Sequence, residues 1–247
     1  MPGMIALDLE LAKNQHFDLI ELKVDGSRHS FKNNELFSDR GIVRNARYPH
    51  IAQELATMDW HVRGEVAIPA GNVLQLNKKE NWHKAKYYIF DLYSYNGVDY
   101  SNRPMQERRE ILESICQEND FVHIELPNKF TTVDDGWDFV TSHDREGIVV
   151  KLNSGLMYKT KFLKEQKFKI HQHILGKSKG AFMIDCNGVQ GKVSGTSMMY
   201  VDAYKELSQK GLEVFAEVEY SFLTDDGIPF QPRLRRLGTW QDLATDA

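Results

Sequence analysis

The chain has 247 residues, 41% of them hydrophobic and 27% charged, with a formal net charge of −4. This length fits one large domain or two modest ones, with the composition of an ordinary soluble protein. No run approaches the ~18 uninterrupted apolar residues of a membrane span. The start, MPGMIALDLELAKNQ, lacks the basic lead, apolar core and small-residue cleavage site of a signal peptide.

Two cysteines, Cys116 and Cys186, form no metal-binding spacing and point to a reducing compartment. The acidic balance counts mildly against a dedicated nucleic-acid binder. Charge is laid out by region, however. Residues 151–180 hold eight lysines and one acid, whereas residues 201–227 hold seven acids and two lysines. A local basic surface can steer a polyanion even on an acidic protein, although a solvated face would read the same way.

FDLIELKVDG, 17–26, alternates with a period near two and predicts a strand over 17–24. Its Asp-Gly predicts a hairpin turn into a partner strand at 28–32. YPHIAQELATM, 48–58, predicts a helix with Ile51, Leu55 and Met58 on one stripe. WHVRGEVAIPAG, 60–71, and the aromatic-rich KAKYYIFDLYSYNG, 84–97, return to strand character. Residues 102–118 form the clearest helix, with Pro104 in the first turn. FVHIEL, 121–126, reads as a strand, 134–141 as a short helix, and REGIVVKL, 145–152, as a β-rich run.

A lysine-rich segment, 159–169, follows, and after residue 170 the texture changes. HILG and AFMIDCNG suggest strands joined by glycine turns, and residues 197–211 a helix closed by Gly211. Residues 212–230 suggest a strand, a turn and another strand. Short strands, glycine turns and one helix fit a small OB-type β-barrel. The expected architecture is α+β: a first domain over 1–169 with mixed and antiparallel sheets, then a barrel over 170–247.

Charged residues embedded in the strand-like runs are the candidates for chemistry. They are Lys23, Asp25 and Arg28, Glu65, Asp91, Glu146 and Lys151, and Lys167 and Lys169. One such charge usually lies on the wet face of a strand. Several, each beside a glycine or an aromatic, suit one cleft lined by a sheet. Many cations with separated carboxylates suit a polyphosphate and Mg²⁺, a hard cation that takes oxygen ligands. A lysine nucleophile must first lose its proton, which neighbouring cations and desolvation favour.

These stretches also resemble, in order, the motifs of ATP-dependent DNA ligases, within the covalent nucleotidyltransferases that include RNA ligases and mRNA capping enzymes. The first motif appears as KVDGSR, 23–28. SDRG, 38–41, is similar to the family's Ser-Arg-x-Gly neighbourhood, with one insertion. RGEV, 63–66, IFDLYSYNG, 89–97, RPMQERRE, 103–110, and EGIVVK, 146–151, follow. MYK, 157–159, with KFK, 167–169, resembles the fifth motif. The stretches 174–196 and 211–237 resemble the opening and closing strands of the ligase OB domain.

The resemblance implies roles. Lys23 would attack the ATP α-phosphate and form lysyl-AMP. Glu21 would accept from the adenine amino group, and Phe90 would stack on the base. Arg28 would hold the ribose or the nick phosphate, and Arg40 a phosphate. Glu65 would serve ribose and metal, and Glu146 the catalytic metal, Mg²⁺ with Mn²⁺ as a substitute. Lys151, Lys167 and Lys169 would face phosphate oxygens, with Lys159, Lys161 and Lys164 competing for the fifth-motif role. Asp25 would shape the loop or organise its neighbours.

The family's sixth motif, Arg-x-Asp-Lys, has no counterpart in the tail QPRLRRLGTWQDLATDA. Either Arg233, Arg235 and Arg236 serve instead, or self-adenylylation is unusual. The expected partner is nicked duplex DNA, with ATP as donor and no N-terminal module for NAD. The expected protein is monomeric, without an obligate protein partner, and cytoplasmic, or in the host cytoplasm if viral. The rival readings are an RNA ligase, a capping guanylyltransferase, and a nucleic-acid-binding protein without catalysis.

Overall fold

The computed structural model describes residues 4–176 and 179–244. Lys177 and Ser178, part of the expected strand and turn over 174–196, lie outside the described residues. The chain divides into two compact units, residues 1–161 and 162–247. The expected boundary after residue 169 falls inside the strand Lys164–Leu175, whose ladders lie within the second unit. No glycine or proline interrupts this stretch, so the strand runs straight through the position where the sequence texture changes.

The first unit carries two sheets. One is ordered Ile5–Ala6, Met157–Lys161, Gly147–Lys151, Leu19–Leu22, Lys129–Phe130. The second runs Glu35–Ser38, Ser27–Lys32, Trp60–Ala67, Lys86–Tyr95, Val98–Asp99, with Ile124–Glu125 also paired to Lys86–Tyr95. Strict alternation along Trp60–Ala67 puts Trp60, Val62 and Val66 into the core and turns Arg63 and Glu65 to the opposite face. The core behind this sheet is closed by Ile51 and Leu55 of the helix Pro49–Leu55 and by Leu112 and Ile115 of the helix Met105–Glu118. Both helices match the expected periodicity, although Pro104 takes the N-cap position rather than the first turn. The helix Val133–Ser142 starts at a capping box between Thr132 and Asp135.

The hairpin expected at Asp25-Gly26 does not form. Leu19–Leu22 pairs with Gly147–Lys151 in the first sheet, whereas Ser27–Lys32 pairs with Glu35–Ser38 and Trp60–Ala67 in the second. The dipeptide is the crossing point between sheets. A type I′ turn needs positive φ at both central residues, and neither Asp25 nor Gly26 has it. Asn96-Gly97 and Asn187-Gly188 do have it, and each joins two paired strands. Gly26 is needed for a different reason. A Cβ there would lie 2.2 Å from the Val66 carbonyl oxygen, so the crossing chain runs directly against the neighbouring backbone.

The second unit is one antiparallel sheet, ordered Val189–Thr196, Gly180–Cys186, Lys164–Leu175, Phe215–Tyr220, Arg233–Gly238. The long strand Lys164–Leu175 pairs through its first half with Phe215–Tyr220 and through its second half with Gly180–Cys186, with a register shift between Ile170 and Gln172. Phe168, Ile170, Phe182, Ile184, Val193, Val201 and Val218 form its core. Val201 comes from the helix Met198–Gln209. Among the described residues no ladder joins the two outer strands, so the sheet is not shown closed into the expected barrel. No described helix is long and apolar enough to cross a membrane.

Substituting Gly26→Ala forces the backbones at the crossing apart. Urea unfolding should register a loss of about 2–4 kcal/mol. Wild-type stability would show that the approach at Val66 is not required.

Candidate active site

Ladder register explains how the distant motifs meet. Ile148 lies opposite Leu22 and Val149 opposite Glu21, which carries Gly147 to Lys23. The Lys23 amide donates to the Gly147 carbonyl at 2.8 Å. On the other side, Val149 faces Lys159, Gly147 faces Lys161 and Lys151 faces Met157. With a period of two, Glu21, Lys23, Val149, Lys151, Met157, Lys159 and Lys161 therefore share one face. On the second sheet, Arg28 lies opposite Glu65 and Ser30 opposite Arg63, so Arg28, Glu65 and Arg63 also share a face.

These two faces line a cavity of about 290 Å³. Of the residues proposed from sequence, Glu21, Lys23, Arg28, Glu65, Phe90, Asp91, Lys151 and Lys159 line it, together with Arg63 and Tyr93. Glu146 lies alongside, since Lys23 Nζ donates to Glu146 Oε2 at 2.6 Å. Lys161 Nζ lies 2.8 Å from the other oxygen, Oε1. Arg40 is exposed at the turn 38–41 and does not line the cavity; its neighbour Asp39 is the residue paired with Arg28.

Glu21 is 1% exposed. Its Oε1 receives Arg109 Nη1 and its Oε2 pairs with the Lys151 ammonium. Arg109 also donates to the Pro127 carbonyl at 2.9 Å and to Glu113 at 3.0 Å. Lys151 Nζ further donates to the Phe90 carbonyl at 2.9 Å and sits 5.4 Å from the Phe90 ring centroid. Its ammonium is thus committed to the Glu21–Phe90 end of the cavity. Asp91 is buried and held by Arg108 Nε at 2.8 Å. Every one of these charges is paired, as burial requires.

The acids around Lys23 are strongly perturbed. Burial pushes Glu65 up to about 8; the negative charge of Glu146 adds to this, against the pull of Lys23 and Arg28. Burial and Glu146 likewise raise Asp25 to about 6, opposed by Lys23. Opposed carboxylates crowded around one ammonium cannot all ionise cheaply. Perturbation of this kind in a cleft marks a functional site.

Lys167 and Lys169 belong to the second unit. Lys167 Nζ donates to the Leu243 carbonyl and lies 5.6 Å from the Trp240 ring centroid, and Lys169 pairs with Glu213. Arg235 Nε contacts Glu219 at 2.8 Å and Arg236 Nη2 contacts Glu217 at 3.2 Å. Arg233 starts the same strand.

A model of the ATP-dependent DNA ligase domain matches residues 5–170. The chain belongs to this family. It is 28% identical over 170 residues to a DNA ligase of Acidianus ambivalens, covering 57% of this chain and 28% of that protein. It is 26% identical over 159 residues to a DNA ligase of Saccharolobus solfataricus, covering 54% and 26%. The chain thus spans about a quarter of the length of these curated relatives. Among solved structures, it is similar to one from a study of Lig E DNA ligases that bind DNA with a minimal scaffold. The TM-score is 0.66 at 15% identity, covering 96% of this chain and 100% of that one. It is also similar to the ligase domain of M. tuberculosis LigD, at TM-score 0.56 and 20% identity, covering 89% and 88%. Both likenesses are of fold.

Sequence reading missed several residues around this ligase-family cavity. Arg108 and Arg109 belong to the helix motif RPMQERRE, and both heads turn inward to the buried carboxylates Asp91 and Glu21. Lys161, one of the competitors for the fifth-motif role, pairs with Glu146, and alternation in MYKTK places residues 157, 159 and 161 on one face. Asp39 carries no signal, because it depends on a pairing across strands.

Glu65 makes a pH prediction. Its folded-state value, about 8, lies above the ordinary 4.5. The folded state therefore holds a proton that the unfolded state loses as pH rises past 4.5, and stability falls until about pH 8. In metal-free buffer Glu65→Gln should remove this penalty. Chemical denaturation should find the variant increasingly more stable than wild type from pH 5 to 8, reaching on the order of 2 kcal/mol. A pH-independent difference would show that Glu65 is ionised throughout.

Proposed function

We propose that this chain seals nicks in duplex DNA at the expense of ATP, through a covalent lysyl-AMP intermediate on Lys23. The observation that carries the reading is Lys23 at the wall of a cavity, its Nζ 2.6 Å from Glu146, with Glu65 and Arg28 facing it from a second sheet.

Phe90 and Glu21 would form the base end of the cavity. A carboxylate oxygen has more than one acceptor site, so Glu21 can accept from the adenine amino group while keeping its two cations. Lys23 Nζ donates to Glu146. It must give up its proton before Nζ attacks the α-phosphorus; the bond to the bridging oxygen then breaks and pyrophosphate leaves. AMP passes next to the 5′-phosphate of the nick. The 3′-hydroxyl attacks that phosphate, forms the phosphodiester and releases AMP. Arg28 would neutralise phosphate or hold ribose. Lys151, Lys167, Lys169 and Arg40 are assigned to phosphate on motif resemblance.

The acids suit a divalent cation. Glu65 and Glu146 lie in each other's field and are hard oxygen donors. Among the described residues no group of three or more metal-type side chains occurs. One or two carboxylates plus substrate phosphates are the usual complement for Mg²⁺. When bound, Mg²⁺ supplies positive charge that offsets phosphate charge.

The second unit is proposed as the OB domain, on its antiparallel strands, its helix and the two ligase-like stretches. Its contacts with DNA would be mainly to the backbone. The protein is proposed to act as a cytoplasmic monomer, or in a host cytoplasm if viral.

Incubation with α-labelled ATP and Mg²⁺ should label the wild type covalently and leave Lys23→Ala unlabelled. Equal labelling of the two would sink the lysyl-AMP step. On matched nicks, sealing should be strongest with DNA strands and fall steeply with added salt. Sealing restricted to RNA strands would overturn the proposed substrate.

A further inference from the structure

Among the side chains of the cavity that the motif resemblance leaves without a role is a cation, Arg63. Its side chain is 18% exposed. Arg28 and Arg63 are diagonal neighbours on one face, because Arg28 lies opposite Glu65 and Arg63 lies two residues before it. Two guanidinia so placed repel. One carboxylate holds them together. Asp39 Oδ2 accepts from Arg28 Nε at 2.6 Å, and Asp39 Oδ1 accepts from Arg63 Nη2 at 3.1 Å.

Asp39 is itself built in. His29 pairs with Ser38, so one further step of the register sets Asp39 opposite Arg28. A tight turn fixes it there. The Gly41 amide donates to the Ser38 carbonyl at 2.8 Å, the Ser38 amide to the Ile42 carbonyl at 3.0 Å, and Gly41 takes φ +73°. Partial burial works against the Asp39 charge, but the bonds from Arg28 and Arg63 outweigh it and hold the carboxyl below its ordinary value. Tyr93, also on the cavity wall, is hydrogen-bonded to Arg63 as well.

We propose that Arg63 is a second phosphate-binding residue of this pocket, paired with Arg28, and that Asp39 is the positioning residue that aims both guanidinia at the cavity. Asp39 occupies the Nε and Nη2 edge of Arg28 and leaves the Nη1 edge for a ligand. Guanidinium forks match phosphate oxygens two at a time. Of the other carboxylates on the wall, Glu21 is committed to Arg109 and Lys151 and Asp91 to Arg108, whereas Glu65 stands opposite Arg28 and is pushed up to about 8 by burial. The inference rests on the reading of the cavity as the nucleotide and nick site. The phosphate comes either from the triphosphate of ATP or from the 5′-phosphate of the nick.

The test uses the full chain with Arg63→Gln, Arg63→Lys, Asp39→Asn and the Asp39→Asn/Arg63→Gln pair, each checked for an unchanged melting temperature. One arm follows lysyl-AMP formation against ATP concentration. The other compares binding of nicked duplexes bearing a 5′-phosphate or a 5′-hydroxyl. Arg63→Gln should raise the KM for ATP, or reduce the preference for the 5′-phosphate, about tenfold. Arg63→Lys, with charge but no fork, should recover this in part. Asp39→Asn should move the same quantity by a smaller factor in the wild-type background, and by a clearly smaller factor still beside Arg63→Gln, where only Arg28 is left for it to aim. Movement in the ATP arm assigns the site to the triphosphate, and movement in the nick arm assigns it to the 5′-phosphate. No change in either arm overturns the role of Arg63. An undiminished Asp39→Asn effect beside Arg63→Gln overturns the positioning role. Wild type is the control for the functional reading: if it fails to label at Lys23, that reading fails, whereas a labelled wild type with an indifferent Arg63→Gln sinks this inference alone.

Discussion

The buried carboxylate of Glu21 is the contact on which the first unit is assembled. It takes a guanidinium on one oxygen and an ammonium on the other. Its partners come from the helix Met105–Glu118 and the strand Gly147–Lys151, far apart in sequence. Desolvating three charges is expensive, and breaking such a set typically costs about 3–5 kcal/mol. Any register of Leu19–Leu22 that turned Glu21 to the other face would strand both cations. A slip of one residue does just that. The bridge therefore fixes the register, and the register sets Lys23 beside Gly147 and Glu146.

Much of this frame was legible in the sequence. Period-two alternation points to Leu19–Leu22, strand-like composition with glycine or proline at its end to Trp60–Ala67 and Lys86–Tyr95, and helical spacing to Pro49–Leu55 and Met105–Glu118. The same alternation separates core from cavity. Tyr87 and Ile89 are buried while Phe90 lines the pocket. Lys23, Glu65 and Glu146 stand out because several charges are embedded in strand-like runs at once, and because those runs resemble the ligase motifs in order. Their convergence was beyond local pattern, since it depends on which strands pair.

The failures have the same origin. Asp25-Gly26 carries a strong local turn signal, yet a crossing between sheets and a hairpin turn ask for the same dipeptide for different reasons. One needs positive φ and the other needs a missing Cβ. Only knowledge of Val66 behind Gly26 tells them apart. Asp39 followed the same logic, being meaningful only opposite Arg28. In the second unit, local signals identified strands and glycine turns, but closure into a barrel depends on pairing between the ends of the sheet. The lysines of 159–169 read as one basic tract. The structure divides them, with Lys159 and Lys161 on a strand of the first unit and Lys164, Lys167 and Lys169 on a strand of the second.

The distribution of charge around Lys23 then bears on what the cavity is suited to receive. Toward Glu146, the acids Glu146, Glu65 and Asp25 gather around Lys23, and burial, with Glu146 adding to it, pushes Glu65 up to about 8. Toward Arg28 and Arg63 the imbalance is reversed, with two guanidinia sharing one aspartate. A neutral ligand would relieve neither imbalance. A bare polyanion would satisfy the arginines but repel the acids, and a bare divalent cation would do the opposite. A phosphate chain carrying a divalent cation brings to each side the charge it lacks. The coexistence of two opposite deficits on the walls of one pocket, on either side of a lysine, is thus a stronger argument for a metal–nucleotide ligand than the number of cations alone.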